Sequence, residues 1–332
     1  MRNIMEAVED SVRANDFIIL RNCFGRFDVT LKLEGMNFAE SIKLRTAKAL
    51  VNHAEEHLDL KKNKRFIESS SGNLGVALSM IAASRGYEFI CIVDPNTNAT
   101  NIAIMKAMGA NVVVVNTKDE SGGYLGTRKK FIRERLSHDN TLIWINQYEC
   151  EANPAIHFSE TAHQININCS DVRKIYIGAG TTGTAMGVSN YFKKYFPKID
   201  LIAVDSVGSV TFGGNASPRY LPGLGSSVPP IFFKKESFNR LISIKESQTV
   251  AVSRYIARKY GLLLGASTCT VLAGMYEDIN ATEEVLVAIS PDLGSKYIDT
   301  MYNDEWCDEK FGSEWRNINL SSNEPKTYQV EL

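Results

Sequence analysis

The chain has 332 residues, of which 44% are apolar and 23% charged, with a formal net charge of -1 at neutral pH. This length can bury a large core or two smaller ones, and the near-neutral balance gives no electrostatic case for nucleic acid or an anionic membrane as partner. No apolar run reaches membrane-spanning length, and Glu6, Glu9 and Asp10 stand where a secretory leader has its apolar core, so a cytoplasmic protein is expected.

In chain order, the first strong signal is Ser41-Ile42-Lys43-Leu44-Arg45, which places a lysine at the entrance of a helix-like run over 46–53. Next comes Glu68-Ser69-Ser70-Ser71-Gly72-Asn73-Leu74-Gly75, between the apolar step Phe66-Ile67 and an apolar helical run over 76–83. A helix cap needs one small polar side chain, and this run supplies several. Together with the unpaired N–H groups and positive dipole end of a helix N-terminus, they suit a carboxylate or phosphate. Strand-like segments follow at 89–93, 111–115, 142–146, 174–177, 201–204 and 284–289. They alternate with amphipathic runs at 101–108, 126–136, 184–195 and 249–260. Short strands joined by helical crossovers predict α/β domains built on parallel sheets covered on both faces.

Ligands in such sheets sit at the carboxyl ends of strands. That singles out three strand-to-helix junctions, 68–75, 178–184 and 265–270, all rich in Gly, Ser and Thr. Their agreement predicts one anionic ligand held from several sides. The Gly-, Pro- and Ser-rich stretch 213–230 reads as a long functional loop. After Trp306 the chain turns polar and loses periodicity, with fraying expected beyond Asn319.

Six scattered cysteines without a C-x-x-C pair predict reduced thiols and no metal site. The five histidines lack ligand spacing, and His157 and His163 read as solvated or capping residues. Gly178-Ala179-Gly180-Thr181-Thr182-Gly183 also matches G-x-G-x-x-G, with Asp205 placed as a ribose-binding acid would be, which admits an NAD-dependent dehydrogenase. The added hydroxyls of Thr181, Thr182 and Thr184 favour a terminal phosphate monoester instead, and the dehydrogenase leaves Lys43 and the serine run unexplained.

The features together resemble the fold-type II pyridoxal-phosphate enzymes of the cysteine synthase and cystathionine β-synthase family. The resemblance runs from about Leu31 to Trp306. It is carried by Lys32-Leu33-Glu34, Ser41-Ile42-Lys43-Leu44-Arg45, Ser70-Ser71-Gly72-Asn73, Gly180-Thr181-Thr182-Gly183-Thr184, Gly265-Ala266-Ser267 and Pro291-Asp292-Leu293-Gly294. It implies a tryptophan synthase β-like α/β fold with pyridoxal 5'-phosphate between two open parallel-sheet domains. The smaller would span 37–150, and the larger 1–36 plus 151–332. By the same resemblance Lys43 is the Schiff-base lysine and later the proton-transferring base. Gly180, Thr181, Thr182, Gly183 and Thr184 cradle the phosphate, and Asn73 contacts the ring hydroxyl. Ser70, Ser71 and Gly72 hold the substrate carboxylate, with Gln147 nearby. Ser267 faces the pyridine nitrogen. A neutral hydroxyl there leaves a weaker electron sink than an aspartate would, which favours β-elimination and β-replacement over transamination.

Four further segments are similar to a subgroup of the staphyloferrin B type, which joins O-phospho-L-serine to L-glutamate as a step towards 2,3-diaminopropionate. They are Gly122-Gly123-Tyr124-Leu125-Gly126-Thr127-Arg128, Trp144-Ile145-Asn146-Gln147-Tyr148, the run from Val204-Asp205 to Gly213, and Met301-Tyr302-Asn303-Asp304-Glu305-Trp306. That subgroup implies amino-acid substrates, a homodimer, Arg128 as a second cation for phosphate or glutamate, and Tyr148 at the amine nucleophile. Arg128 reads equally as a solvated helix arginine, and Arg45 as structural. Sulfur-using synthases and a non-catalytic relative are the other readings. Leu44, Leu74, Cys269 and Phe38-Ala39-Glu40 depart from the cysteine synthase pattern.

Overall fold

The protein is described by a computed structural model covering residues 5–58, 60, 65–120, 122–280 and 282–320. A hairpin of β1 (Phe17–Cys23) and β2 (Phe27–Leu33) is followed by α1 (Lys43–His57), β3 (Arg65–Ser69), α2 (Asn73–Arg85), β4 (Glu88–Val93) and α3 (Ala99–Ala107). Then come β5 (Asn111–Val114), α4 (Leu125–His138), β6 (Leu142–Trp144), α5 (Ala152–Ile156), a π-helical segment (His157–Ala162) and α6 (His163–Asn168). The chain continues through β7 (Lys174–Gly178), α7 (Gly183–Tyr195), β8 (Asp200–Ser206), β9 (Arg240–Ile244) and α8 (Glu246–Tyr260). It closes with α9 (Ala266–Asp278), β10 (Leu286–Ser290) and α10 (Asp304–Phe311).

Two sheets result. The four-stranded one has the order β5-β4-β3-β6 and is parallel throughout. Its strands carry consecutive apolar residues because both faces are covered. Leu44, Leu50, Leu78 and Ile81 of α1 and α2 join Phe66 and Cys91 in one core, while Ile132 of α4 meets Ile67 and Ile92 in another. The six-stranded sheet has the order β1-β2-β10-β7-β8-β9. Its β10, buried at every residue, lies between β2 and β7.

The expectation of parallel sheets needs one correction, since β1 and β2 pair antiparallel. The short reversal between Cys23 and Phe27, with Phe24 and Gly25 at positive φ, is too brief for a parallel crossover. Strand β1 escapes detection in the sequence because its burial does not alternate cleanly, leaving Ile19 exposed. A second correction concerns 265–270, which no strand precedes. Helix α8 is capped by Gly261 in the left-handed region, and four residues later Gly265 is the N-cap of α9. An isolated bridge from Leu264 to Leu293 sets this junction beside the exit of β10. Order also continues past Trp306, where α10 forms and Trp315 and Leu320 are buried; the tail expected to fray lies beyond the described residues. No helix among the described residues is long and apolar enough to cross a membrane.

Candidate active site

Lys43 is the first residue of α1, and its lead-in is pinned to the end of β10. The Ile42 N–H donates to the Pro291 carbonyl at 2.7 Å, and Ser41 bridges to Asp292. The Lys43 side chain keeps some accessible surface although protein surrounds it, the combination expected of a group projecting into a cleft. Among the described residues it has no hydrogen-bond or ion-pair partner. Burial brings its ammonium down to about 8, with nearby Asp292 opposing the shift. Roughly a tenth of the amine is thus neutral and nucleophilic at pH 7, far more than for an unshifted lysine.

Helix α7 opens at the carboxyl end of β7, where Gly180 to Thr184 present the helix N-terminus. Thr182 sits at φ +69, a costly place for a β-branched residue, and its buried Oγ1 has no partner among the described residues. A Cβ on Gly180 would lie 2.8 Å from the Gly223 carbonyl oxygen, and one on Gly183 would lie 2.3 Å from Asn153 Oδ1. The loop is therefore closed in behind and open at its N–H groups, as a phosphate cradle requires. His157 Nε2 lies 3.1 Å from Thr46 Oγ1 and 3.2 Å from Thr184 Oγ1, stitching the helix of Lys43 to this loop. His157 is fully buried, and burial holds it well below the ordinary histidine range, hence neutral. That corrects the expectation of a solvated or capping residue. The π-helical segment that begins there supplies the offset.

Asp292 gathers three further parts. Its Oδ2 accepts from Asn73 Nδ2 at 2.8 Å and from the Tyr297 hydroxyl at 2.6 Å, while Oδ1 is buried without a partner among the described residues. A Cβ on Gly265 would stand 1.7 Å from that Oδ1, so the start of α9, bearing Ser267, abuts the same carboxylate. Lys296 Nζ donates to Asn73 Oδ1 at 3.1 Å and to the Ala39 carbonyl at 3.0 Å. With its oxygen taken by an ammonium, the Asn73 amide has an N–H left for a ligand. Ser267 is 3% exposed, and its hydroxyl has no protein partner among the described residues. A Cβ on Gly223 would come 3.3 Å from Ser267 Cβ, so the 213–230 loop lies between the cradle and Ser267.

The serine run does two jobs. Ser70 Oγ accepts the Gly75 N–H at 2.9 Å, so it caps α2 from within, while Ser71 and Gly72 remain partly exposed. Gln147 is buried three residues past the end of β6, its N–H donating to Glu68 and its carbonyl accepting from Asn153 Nδ2 at 2.9 Å. The Tyr148 hydroxyl donates to the Ser69 carbonyl at 3.4 Å, and burial raises it to about 12. Arg128 is no solvated arginine: it is 7% exposed, its Nη1 lies 3.4 Å from Asp94, and among the described residues neither Nε nor Nη1 makes a hydrogen bond. Arg45 is structural, buried against Glu34, Glu160 and Gln164.

Sequence reading thus reached Lys43, Asn73, the cradle and Ser267, and the structure brings them together. It missed Asn153, His157 and Lys296, and used Asp292 only as a motif residue. An Asn-Pro step at Asn153-Pro154 was the one local hint of a turn. These residues fit pyridoxal phosphate: an orphaned hydroxyl and free N–H groups for its phosphate, a desolvated amine for its carbonyl, and an unpartnered neutral hydroxyl for its ring nitrogen.

Comparison with solved structures supports the fit. An O-ureido-L-serine synthase superposes with a TM-score of 0.82 at 25% identity, covering 91% of this chain and 96% of that one. An O-acetylserine dependent cystathionine beta-synthase from Helicobacter pylori gives 0.81 at 24% identity, over 90% and 98%. O-acetyl serine sulfhydrylase isoform 3 from Entamoeba histolytica gives 0.82 at 24%, over 97% and 95%. The last two establish the shared fold. The sequence pattern of the pyridoxal-phosphate dependent enzymes matches residues 19–292. With that match over most of its length, and with the site it surrounds, the chain belongs to the family of pyridoxal-phosphate dependent enzymes.

Proposed function

We propose that the protein catalyses β-replacement on an activated L-serine, O-phospho-L-serine, with the amine of L-glutamate as nucleophile, giving N-(2-amino-2-carboxyethyl)-L-glutamate. The bond from the β-carbon to oxygen breaks and phosphate leaves with the electron pair. The glutamate nitrogen then bonds to the β-carbon and gives up a proton. The observation that carries the substrate reading is Arg128. Beside Tyr148 at the carboxyl edge of the smaller sheet, its buried guanidinium is ion-paired through Nη1 to Asp94 at 3.4 Å but, among the described residues, makes no hydrogen bond at Nε or Nη1, which leaves donors for an anionic substrate group.

Pyridoxal phosphate, when bound, supplies the sink for electrons released at the substrate α-carbon. The rest falls to the chain. Gly180 to Thr184 would hold the cofactor phosphate, and Asn73 and Ser267 would orient the ring. Lys43 Nζ would take the α-proton, its lowered basicity leaving it free to do so near neutral pH. Ser71, Gly72 and Gln147 would receive the donor carboxylate, with Ser70 shaping their turn. The unit 37–150 would close over both substrates and exclude water.

The first test is a screen of donors and acceptors. Phosphate release from O-phospho-L-serine that depends on glutamate, with the amine adduct seen by mass spectrometry, is the expected result. Turnover with sulfide and O-acetyl-L-serine alone would select the sulfur-using alternative, and no turnover with any pair would select the non-catalytic one. Tyr148→Phe should weaken use of glutamate by about tenfold while sparing donor cleavage, since one hydroxyl-mediated contact is lost. Equal losses in the two half-reactions, donor cleavage and adduct formation, would remove Tyr148 from the acceptor site.

A further inference from the structure

Glu68 lies one residue before the end of β3 and is fully buried. Its carboxylate has no ion-pair partner among the described residues. Instead Oε1 accepts from the Ser69 N–H at 2.7 Å and the Trp144 indole N–H at 3.3 Å, and Oε2 accepts from the Gln147 N–H at 3.1 Å. A carboxylate buried this way is unfavourable unless its hydrogen bonds matter to something. Two of the three donors are backbone groups of the segments that carry the carboxylate contacts: Ser69 leads into Ser70–Asn73, and Gln147 is the contact itself. The fixture extends further, because the Gln147 carbonyl is held by Asn153, which backs Gly183 of the cradle.

We propose that Glu68 is the positioning residue of donor recognition, setting the spacing between the Ser71-Gly72 turn and Gln147 by accepting hydrogen bonds from the backbone beneath both. The inference rests on reading those segments as the carboxylate clamp. Glutamine cannot replace it. One acceptor oxygen becomes an –NH2, which must face either the Gln147 N–H or the Ser69 and Trp144 donors, and in both orientations donor meets donor.

The role also carries a pH signature. Burial raises Glu68 to about 7 against the hydrogen bonds that lower it. Lys129 of α4, Cys91 of β4, and Tyr148 and Cys150 beyond β6 face the carboxylate, with Arg128 beside Cys91 and Tyr148. Helix α2, also packed on β3, has no titratable group before Arg85 at its far end. The ionised form satisfies all three donors, whereas protonation turns one oxygen into a donor and releases one of them. The clamp is therefore intact above the transition and loosens as pH falls through it.

The test compares holoenzyme kinetics with cofactor titration of the apoprotein. Glu68→Gln should raise the donor KM about tenfold, the equivalent of one lost charge-assisted hydrogen bond, with kcat changed less than about threefold. Cofactor affinity and acceptor KM should change less than donor KM, and the acid-side rise in donor KM should disappear. Should Glu68→Gln fail to fold, Trp144→Phe removes one donor without changing charge; it should move the acid-side inflection of donor KM upward in pH. An unmoved inflection there, or a wild-type donor KM and pH profile in Glu68→Gln, overturns the proposal. Ser71→Ala and Gln147→Ala separate the two levels. If they raise donor KM while Glu68→Gln does not, the clamp stands without Glu68, and if neither raises it, the clamp reading falls as well.

Discussion

Replacing Lys43 by alanine should lower kcat/KM by about 10⁴-fold or more, because one amine both holds the cofactor and moves the proton. Lys43→Arg should not restore it, since a guanidinium keeps the charge but has no neutral form at working pH. Borohydride reduction of the wild-type holoenzyme should fix the cofactor to the peptide containing residue 43 and to no other lysine. A cofactor absorbance that survives Lys43→Ala unchanged would remove Lys43 from this role. The apoprotein offers a second readout. The Lys43 ammonium stands near 8, against 10.5 for an unburied lysine. Below pH 8 both folded and unfolded chains carry the proton, and the folded one bears the desolvation cost. Between pH 8 and 10.5 only the unfolded chain retains it, so stability rises with pH across that window. Lys43→Met, which keeps most of the stem, should raise apoprotein stability at neutral pH by about 2–3 kcal/mol. That gain should fade in alkali.

Gly187→Ala should destabilise the protein by about 3 kcal/mol and weaken cofactor binding with it. Helix propensity argues the other way, since alanine is favoured over glycine in a helix interior by about 1 kcal/mol. Sterics decide. A Cβ at Gly187 would stand 2.3 Å from the Pro154 carbonyl oxygen, 2.6 Å from His157 Cβ and 2.9 Å from the Phe158 nitrogen. Two of these are backbone atoms that no rotamer change can move, so α7 must retreat from α5 and the π-helical segment. The retreat separates His157 from Thr184 and shifts the cradle relative to Lys43. Urea unfolding and cofactor titration of the apoprotein check both effects, and a variant more stable than wild type would show that the packing there is loose.

What the sequence reveals of this site follows a physical rule. The cradle is legible because its chemistry is local: glycines and hydroxyls crowd one strand-to-helix junction. Lys43 is legible only through the order of features around it, as nothing in its neighbours marks it among the chain's lysines. Asp292 and His157 take their meaning from partners far away in the chain, Asn73 in one case and Thr46 in the other. Pattern reading assigns a type and a face to such residues but not the contact. Arg128 shows the same limit: anion binder and solvated arginine share one sequence, and only burial tells them apart. Strands β1, β2 and β9 escaped: β1 and β9 because their faces are unevenly covered, and β2 because Asp28, Thr30 and Lys32 interrupt its apolar run.

The central position of β10 has a consequence for how the molecule is made. The β3 to β6 sheet can close once residues 65–144 exist, whereas the larger sheet must wait for β10, which is made long after its neighbours β2 and β7. Until then β2 and β7 each offer an open edge, with Val29, Leu31 and Ile175 uncovered, and such edges invite pairing with other chains. A chain stopped before Leu286 should therefore carry a folded smaller sheet on an aggregating remainder, visible as a protease-resistant core within 37–150. Ser267 precedes β10 and Asp292 follows it directly, so the ring-facing side of the site becomes available together with the strand that completes the larger sheet.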